Sequence, residues 1–312
     1  MKLNDRYTVE SGSVYLTGIQ ALVRLPMDQM RLDRRAGLKT GAFISGYEGS
    51  PLGGYDMALQ RTGSLLREHD IHFWPGVNED MAATTIFGSQ IYQVMGQSAY
   101  DGVLGIWYGK GPGVDRSGDI FRHANLAGSP GHCAALVLAG DDHACKSSSI
   151  PHQSDFSLMN AAIPVLFPGN TQEILDLGLL GIALSRYTGA WCGMKLLTQV
   201  CDGGGRVEVN AIDRQVHLPE GYRKKTDPRL LIPYTSAIEP EANRHRLEAA
   251  KAFARANRLN RWFGAKQNAR LGIATAGKYF YDLMQALRDL GIEQDDWEPM
   301  GIRIAKFGMT FP

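Results

Sequence analysis

The seven-residue run Cys133–Ala139, CAALVLA, decides the fold class, because its residues are almost all apolar and none is charged. A continuous apolar run of this length is typical of a parallel strand that is covered on both faces of a sheet. Other apolar segments recur along the chain between longer amphipathic stretches, at residues 41–45, 71–74, 102–108, 163–167 and 191–200. Parallel neighbours need crossover connections, so the pattern predicts an α/β fold with a doubly wound parallel six-stranded sheet.

Helices are predicted in the amphipathic stretches between these strands. Asn78 is a good N-cap, since its side chain can accept a hydrogen bond from an unpaired backbone N–H, and Thr171 is the expected cap of a later helix. The predicted helices of this region cover residues 54–68, 79–97, 117–126 and a stretch from 171 that includes Ile174 to Leu184.

The character of the chain changes after the glycine run at 203–205. We expect a first domain at residues 1–205, a polar surface linker at 206–235 and the start of a second α/β domain at 236–312. In that last part a helix is predicted at 239–260, strands at 270–275 and 301–306, and a helix at 278–290. Two strands cannot bury a sheet by themselves, so we expect this second domain to be incomplete, in a fragment or in a chain that needs a partner.

Composition excludes several classes of function. With 44% hydrophobic and 21% charged residues and a formal charge of +1, the chain has no bulk attraction for nucleic acid or an anionic membrane. The start of the chain is polar, and no apolar run is long enough to span a bilayer, so a cytoplasmic protein is expected. The cysteines show no zinc or iron–sulfur spacing and are expected to be buried or incidental thiols in a reducing compartment, Cys133, Cys145, Cys192 and Cys201.

Two polar segments stand where predicted strands pass into helices, Gly46–Pro51 (GYEGSP) and Asn78–Asp80 (NED). In α/β folds ligands bind at the carboxyl ends of the parallel strands, so both segments are candidates for one site. Glycine allows close approach of the backbone to a ligand. The dinucleotide and phosphate-loop patterns are absent.

The order of four segments resembles the indolepyruvate ferredoxin oxidoreductase family, within the 2-oxoacid:ferredoxin oxidoreductases. The segments are SGYEGSPLGGYD at 45–56, GVNEDMAATTIFGSQ at 76–90, ALVLAGDDHACKSSSIPHQSD at 135–155 and AAIPVLFPGNTQEILDL at 161–177. Residues 270–292 and 301–312 look like the start of that family's transketolase-C-terminal-like domain. The resemblance covers essentially the whole chain.

The resemblance implies a thiamine-diphosphate-binding PYR fold for the first domain, with Glu79 as the carboxyl group that contacts N1′ of the aminopyrimidine. It implies further cofactor contacts from Gly46, Tyr47, Gly49, Ser50 and Asn78. Without the resemblance, Glu79 would be interpreted as an ordinary first-turn glutamate favoured by the helix dipole.

Substrate contacts are expected from three residues, Ser50, Lys110 and Asp142. A plain turn at Ser50 and a solvated Lys110 are the alternatives. Pyruvate-type relatives carry an arginine shortly before the fourth strand, but this chain reads Ser-Pro-Gly at 129–131. The substrate-holding role is therefore unassigned, with three candidate substitutes: Arg116, Arg122 and His123.

A metal site is the alternative interpretation of a polar loop around residues 146–149, flanked by Asp141, Asp142, His143, His152 and Asp155. The resemblance instead implies that magnesium is bound through a Gly-Asp-Gly motif on a domain outside this chain, and Gly140-Asp141-Asp142 lacks its third glycine. We therefore expect no metal ligands here and interpret the loop as active-site wall or domain contact.

The implied activity is thiamine-dependent oxidative decarboxylation of a 2-oxoacid, of the aryl pyruvate type, to an acyl-CoA with electrons passed to ferredoxin. The implied partners are pyrophosphate-binding and γ-type domains or subunits, with iron–sulfur clusters and coenzyme A elsewhere in an oligomeric assembly. This chain alone is expected to be inactive. A non-catalytic docking subunit or truncated remnant, and a transketolase-like carboligase, are the alternatives.

Overall fold

The computed structural model describes residues 4–92, 98–143, 145, 149–209 and 215–312. The predicted end of the helix at 79–97 and the loop residues Lys146, Ser147 and Ser148 therefore lie outside the described residues. The strands in chain order are β1 (Ser13–Thr17), β2 (Thr40–Gly46), β3 (Ile71–Phe73), β4 (Gly102–Lys110), β5 (Ala134–Asp141), β6 (Val165–Leu166), β7 (Cys192–Leu197), β8 (Gly204–Glu208), β9 (Asn260–Gly264), β10 (Leu271–Ala276), β11 (Ile302–Phe307) and β12 (Met309–Phe311).

The helices alternate with these strands over most of the chain. They are α1 (Asp5–Thr8), α2 (Gly18–Arg35), α3 (Tyr55–Arg61), α4 (Gly63–Glu68), α5 (Glu79–Ile91), α6 (Gly111–Arg116), α7 (Gly118–Ala127), α8 (Asp155–Asn160), α9 (Thr171–Thr188), α10 (Thr198–Asp202), α11 (Tyr234–Pro240), α12 (Arg246–Ala256) and α13 (Lys278–Asp289), with a π-helical turn at Glu241–His245 and a 3-10 turn at Gln294–Asp296. None of the helices in the described part of the chain is both long and apolar enough to cross a bilayer.

The larger sheet has the strand order β12-β6-β7-β5-β4-β2-β3. All six predicted strands are in it, and their pairings are parallel. The seventh strand, β12, pairs antiparallel with β6 and was not predicted. The prediction of a doubly wound, predominantly parallel α/β sheet is therefore confirmed.

Two apolar cores cover the two faces of this sheet because neighbouring residues of a strand point to opposite sides. In β5, Leu136 and Leu138 join the core beneath α2 and α9, whereas Ala135 and Val137 join the core with Phe121 of α7. Both faces of β5 are fully buried, which explains why its sequence is apolar at consecutive positions.

An additional two-stranded sheet ties the beginning of the chain to residues 204–208. β1 pairs antiparallel with β8, so the start of the predicted polar linker is a strand instead. Its burial pattern has one buried residue, Val207, and this single apolar position gave no sequence signal for a strand. The helix α2 that follows β1 begins with a capping box between Thr17 and Gln20.

Residues 260–307 contain a separate three-stranded sheet with the order β10-β11-β9. β10 and β11 are the two predicted strands and pair in parallel, while β9 pairs antiparallel with β11. The predicted helix at 239–260 ends earlier, at Ala256, and Asn260 is instead the first residue of β9. The division of the chain into domains remains a prediction.

Two other helix predictions need correction. The single helix expected at 54–68 is interrupted at Thr62, whose hydroxyl donates to the carbonyl of Ala58 at 2.8 Å. The cap of α9 is Asn170 and not Thr171, because the Asn170 side chain accepts from the Glu173 N–H at 2.9 Å. The prediction that Asn78 caps α5 is confirmed by its 2.9 Å contact with the Met81 N–H.

The cysteines are all free thiols, and three of them are buried, Cys133, Cys192 and Cys201. Burial raises the pKa of each of these three thiols.

Candidate functional site

The two predicted polar segments meet at the carboxyl edge of the larger sheet. Gly46 ends β2 opposite Tyr108 of β4, and the Gly76 N–H donates to the Gly46 carbonyl at 2.8 Å. A Cβ on Gly46 would lie 2.1 Å from the Tyr108 carbonyl oxygen, so only glycine allows the strand to pass there. The loop after β2 and the loop after β3 are thereby held side by side.

Glu79 is the first residue of α5, and its backbone is held from two sides. Asn78 caps the helix, and the Trp107 indole N–H donates to the Glu79 carbonyl at 2.9 Å. Trp107 is fully buried in β4, which anchors the start of α5 to the middle of the sheet. The Glu79 side chain is half-buried at the sheet edge.

The Glu79 side chain lies against α6, the short helix that follows β4. A Cβ on Gly113 would come within 2.4 Å of Glu79 Cγ and 2.9 Å of Oε1. Any larger residue at position 113 would displace the carboxyl group, since real Cβ atoms do not approach other atoms so closely. The Glu79 side chain therefore packs directly on the backbone of Gly113.

The remaining residues of the first loop pack toward β4 and β5. Gly49 faces the aliphatic part of Lys110, with a Cβ position 3.3 Å from Lys110 Cβ, and Pro51 approaches Gly140 of β5. Ser50 lies between them and is half-buried, as is Lys110. The Tyr47 N–H donates to the Tyr108 carbonyl at 3.1 Å, while its side chain is 41% exposed.

A histidine borders the other side of α6 and contacts an acidic residue of that helix. His152 packs on Gly111, where a Cβ would be 2.0 Å from the imidazole Nδ1. Its Nε2 is 2.8 Å from Asp115, and the same carboxylate accepts from the Ser157 hydroxyl at 2.5 Å. These hydrogen bonds, with burial opposing them, lower the pKa of Asp115. Gly111 and Gly113 thus let one thin helix fit between His152 and Glu79.

The carboxylate of Asp141 is enclosed at the end of β5. It accepts from the Ser154 N–H at 2.9 Å and from the Ser154 hydroxyl at 2.6 Å, and Lys195 Nζ is 3.5 Å away. Lys195 also pairs with Asp155 at 2.5 Å. These acids serve an internal polar network, and the described residues contain no group of three or more His, Cys, Asp or Glu side chains placed to hold a metal. Asp142 follows directly and is 1% exposed.

The carboxyl group of Asp56 is buried beneath the loop that follows β2. Burial raises the pKa of Asp56, and the nearby Glu48 carboxylate raises it further, while the Tyr108 hydroxyl opposes the shift. The pKa of the Tyr108 hydroxyl is itself raised, by burial and by Asp56. The floor of the edge between β2 and β4 is therefore made of groups that resist ionisation.

The three candidates for the missing arginine occupy different places. Arg116, in α6, pairs at 3.0 Å with Asp80, the residue that follows Glu79 in the chain. Arg122 and His123 lie on the exposed face of α7, where Arg122 lines a cavity together with Asn160. Only Arg116 is held at the start of α5 by a contact.

Sequence reasoning missed three residues of this edge: Trp107, Gly113 and Asp115. Gly113 belongs to the glycine-rich stretch 109–113, so its composition was a signal, but the residue it faces was not readable. Trp107 and Asp115 carry no local signal, because their partners Glu79 and His152 lie 28 and 37 positions away.

Comparison with known proteins agrees with this fold. Residues 261–312 match the indolepyruvate oxidoreductase domain model. The whole chain is 24% identical, over 315 residues, to indolepyruvate oxidoreductase subunit IorA of Methanothermobacter thermautotrophicus and equally to that of Methanothermobacter marburgensis. It spans 45% of the length of each of these relatives.

A solved structure shows the same fold at low sequence identity. The 2-oxoglutarate:ferredoxin oxidoreductase from Magnetococcus marinus superposes with a TM-score of 0.66 and 13% identity, over 97% of this chain and 55% of that one. At this level of identity the likeness shows the fold alone. The sequence matches support membership of the indolepyruvate oxidoreductase family.

Proposed function

We propose that this chain supplies the aminopyrimidine half-site of a thiamine-diphosphate-dependent 2-oxoacid:ferredoxin oxidoreductase of the indolepyruvate type. The observation that carries the proposal is the position of Glu79. Its backbone is held by a helix cap and an indole N–H, and its side chain lies in the space that Gly113 leaves free, at the ligand-binding edge of a parallel sheet.

The Glu79 carboxyl group and the loop after β2 would contact the aminopyrimidine ring of the cofactor. A carboxyl group at Glu79 can share a proton with the ring nitrogen N1′ of an aminopyrimidine, as the first step of proton movement within the cofactor. When bound, thiamine diphosphate supplies the electron sink for decarboxylation of a 2-oxoacid. Asn78 and Trp107 fix the backbone at the start of α5. The Glu79 carboxyl group is therefore already oriented before the ligand binds, and little conformational entropy is lost on binding.

Ser50, Lys110 and Asp142 are proposed to face the substrate. The Lys110 ammonium would pair with the carboxylate of a 2-oxoacid. Gly49 packs against the aliphatic part of the Lys110 side chain, so the loop after β2 can lie close to Lys110. The backbone of the loop after β2 would lie along the aminopyrimidine ring, at Gly46, Tyr47, Gly49 and Ser50. A pyruvate bearing an aromatic group is the substrate type that we propose.

The other components are proposed from the family. The pyrophosphate and its magnesium ion would be held by a domain or subunit outside this chain. The γ-type domain, the iron–sulfur clusters and the coenzyme A site would also lie outside it. Ferredoxin would receive the electrons from that assembly. The isolated chain is therefore expected to release no CO2 from a carboxyl-labelled 2-oxoacid, and steady release would contradict the proposal.

The test compares Glu79→Gln with Asp80→Asn in the complete assembly. Glu79→Gln keeps the size of the side chain but cannot exchange a proton at N1′, so we expect 2-oxoacid-dependent reduction of ferredoxin to fall by about 100-fold or more. Asp80→Asn removes only an exposed contact with Arg116 and should change the rate less than about threefold. Full activity of Glu79→Gln would overturn the proposal and favour a docking subunit without catalysis.

A further inference from the structure

A cavity of about 470 Å³ lies on the three-stranded sheet. Four aromatic residues line it, and two of the ring pairs are in contact, with Phe263–Phe280 centroids 5.3 Å apart and Phe280–Tyr281 centroids 5.4 Å apart. Trp297, which is 4% exposed, completes the aromatic lining together with the apolar Met284 and Ile292. The volume lies within the range of small-molecule sites.

Cations are in excess at this cavity. Arg261, Arg288 and Lys306 all line it. Lys306 is 2% exposed and donates to Glu173, and the same Glu173 oxygen also accepts from Arg261 at 3.3 Å. One carboxylate is thus shared by two cations, and Arg288 is a third.

The acceptors near the cavity are already in use. Glu173 accepts from the Tyr281 hydroxyl at 2.9 Å and, with its other oxygen, from the Gly169 N–H at 2.8 Å. The Glu293 side chain accepts from the Asp296 N–H in a capping box. The Trp297 indole N–H, by contrast, is buried and has no hydrogen-bond partner among the described residues. Donors and positive charge therefore outnumber acceptors, which is the composition of an anion site with aromatic walls.

We propose that this cavity binds an aromatic carboxylate, with its carboxylate against Arg288 and Arg261 and its ring against the exposed edges of Phe280, Tyr281 and Trp297. Arginine pairs with a carboxylate through two N–H groups, and the aromatic walls offer edge and face contacts to a flat ring. None of the lining residues belongs to the site around Glu79, so this is a second site, beyond the function proposed above.

The test uses two probes of equal shape, naphthalene-2-carboxylate and naphthalene-2-carboxamide, titrated into the chain by calorimetry. We expect the carboxylate to bind saturably and at least about tenfold more tightly than the uncharged amide. Arg288→Gln is the diagnostic variant, because Arg288 is exposed on α13 and its described hydrogen bond is only to Gln285. It should lose most of that tenfold preference without loss of folding.

Arg303→Gln is the matched control. Arg303 lies on β11, as Lys306 does, but its side chain faces Trp262 and a different cavity, so its removal should leave the preference for the carboxylate intact. Equal binding of the two probes, or equal effects of Arg288→Gln and Arg303→Gln, would overturn the proposal. Glu79→Gln should bind the probe like the wild type, which separates failure of this site from failure of the proposed catalytic function.

Discussion

The side chain of Glu79 rests on the backbone of Gly113, so closely that a Cβ at position 113 would lie 2.4 Å from Glu79 Cγ. The two residues belong to different helices, α5 and α6, that follow different strands of the sheet. The position of the proposed catalytic carboxyl group therefore depends on a residue that has no functional group of its own.

Replacing Gly113 by alanine should displace Glu79 while the fold is retained. The added methyl group must push the half-buried Glu79 side chain aside. Because that side chain is flexible and alanine favours helix more than glycine does, the free energy of unfolding should change by less than about 1 kcal/mol. We expect affinity of the complete assembly for thiamine diphosphate to fall at least tenfold, as measured by calorimetry in the presence of magnesium.

Gly118→Ala is the control for this change, because a Cβ at Gly118 meets nothing within 4 Å. It should leave cofactor affinity unchanged and stabilise α7 slightly, since alanine favours helix more than glycine does. If both variants bind the cofactor like the wild type, the contact with Gly113 does not position Glu79.

The caps Asn78 and Asn170 allow stability and function to be separated. They have nearly the same backbone conformation, φ −159° and ψ 178° against φ −154° and ψ 178°, and each accepts from an N–H three residues on. Asn78→Ala and Asn170→Ala should each cost about 1 kcal/mol of unfolding free energy in urea denaturation.

Only Asn78→Ala should also weaken cofactor binding, because it loosens the end of the helix that carries Glu79. Similar losses of affinity in both variants would show that the effect comes from general destabilisation.

Glu173→Gln should destabilise the contact between α9 and the three-stranded sheet. Glu173 is the anionic partner of Lys306, which is 2% exposed. Burial lowers the pKa of Lys306 and Glu173 counteracts this shift, so loss of the carboxylate leaves a buried cation without its counter-ion. We expect a loss of about 3 kcal/mol in unfolding free energy by chemical denaturation.

The control is Asp282→Asn, which breaks the exposed pair Lys278–Asp282. An exposed pair of this kind contributes less than about 0.5 kcal/mol, so this variant should unfold like the wild type. A Glu173→Gln protein as stable as Asp282→Asn would contradict the role assigned to Glu173.

Lys224 should make stability rise with pH above neutrality. Its ammonium donates to the carbonyls of Ser129 and Gly131, and burial lowers its pKa to about 8 from 10.5, with Arg186 and Arg246 adding to the shift and Cys133 opposing it. Between these two values the unfolded chain binds more protons than the folded chain, so the free energy of unfolding increases with pH in that window.

The measurement is the difference in unfolding free energy between wild type and Lys224→Met, from pH 7 to pH 10. It should change by about 2 kcal/mol in favour of the wild type as pH rises through 8. Lys225→Met, at the exposed neighbouring position, should show no such trend. A flat difference for Lys224→Met would mean that its ammonium stays protonated throughout.

The elements that could be predicted from sequence were those with a strong local pattern. The apolar run at Cys133 became β5, and Asn78 became the cap of α5. By contrast, β8 has only one buried residue, and α2 with β1 was not predicted at all. The cap of α9 was placed one residue late because threonine and asparagine are both good caps, and only backbone geometry chooses between adjacent candidates.

The sequence by itself determined that the chain forms a parallel α/β sheet and that Glu79 opens a helix near its carboxyl edge. Tertiary structure decided that Gly113 supports this carboxyl group, that His152 meets Asp115, and that Glu173 gathers Lys306, Arg261 and Tyr281. The physical reason is distance along the chain. Hydrophobic periodicity and capping act between residues within one or two turns, whereas these contacts form only when separate elements have packed together.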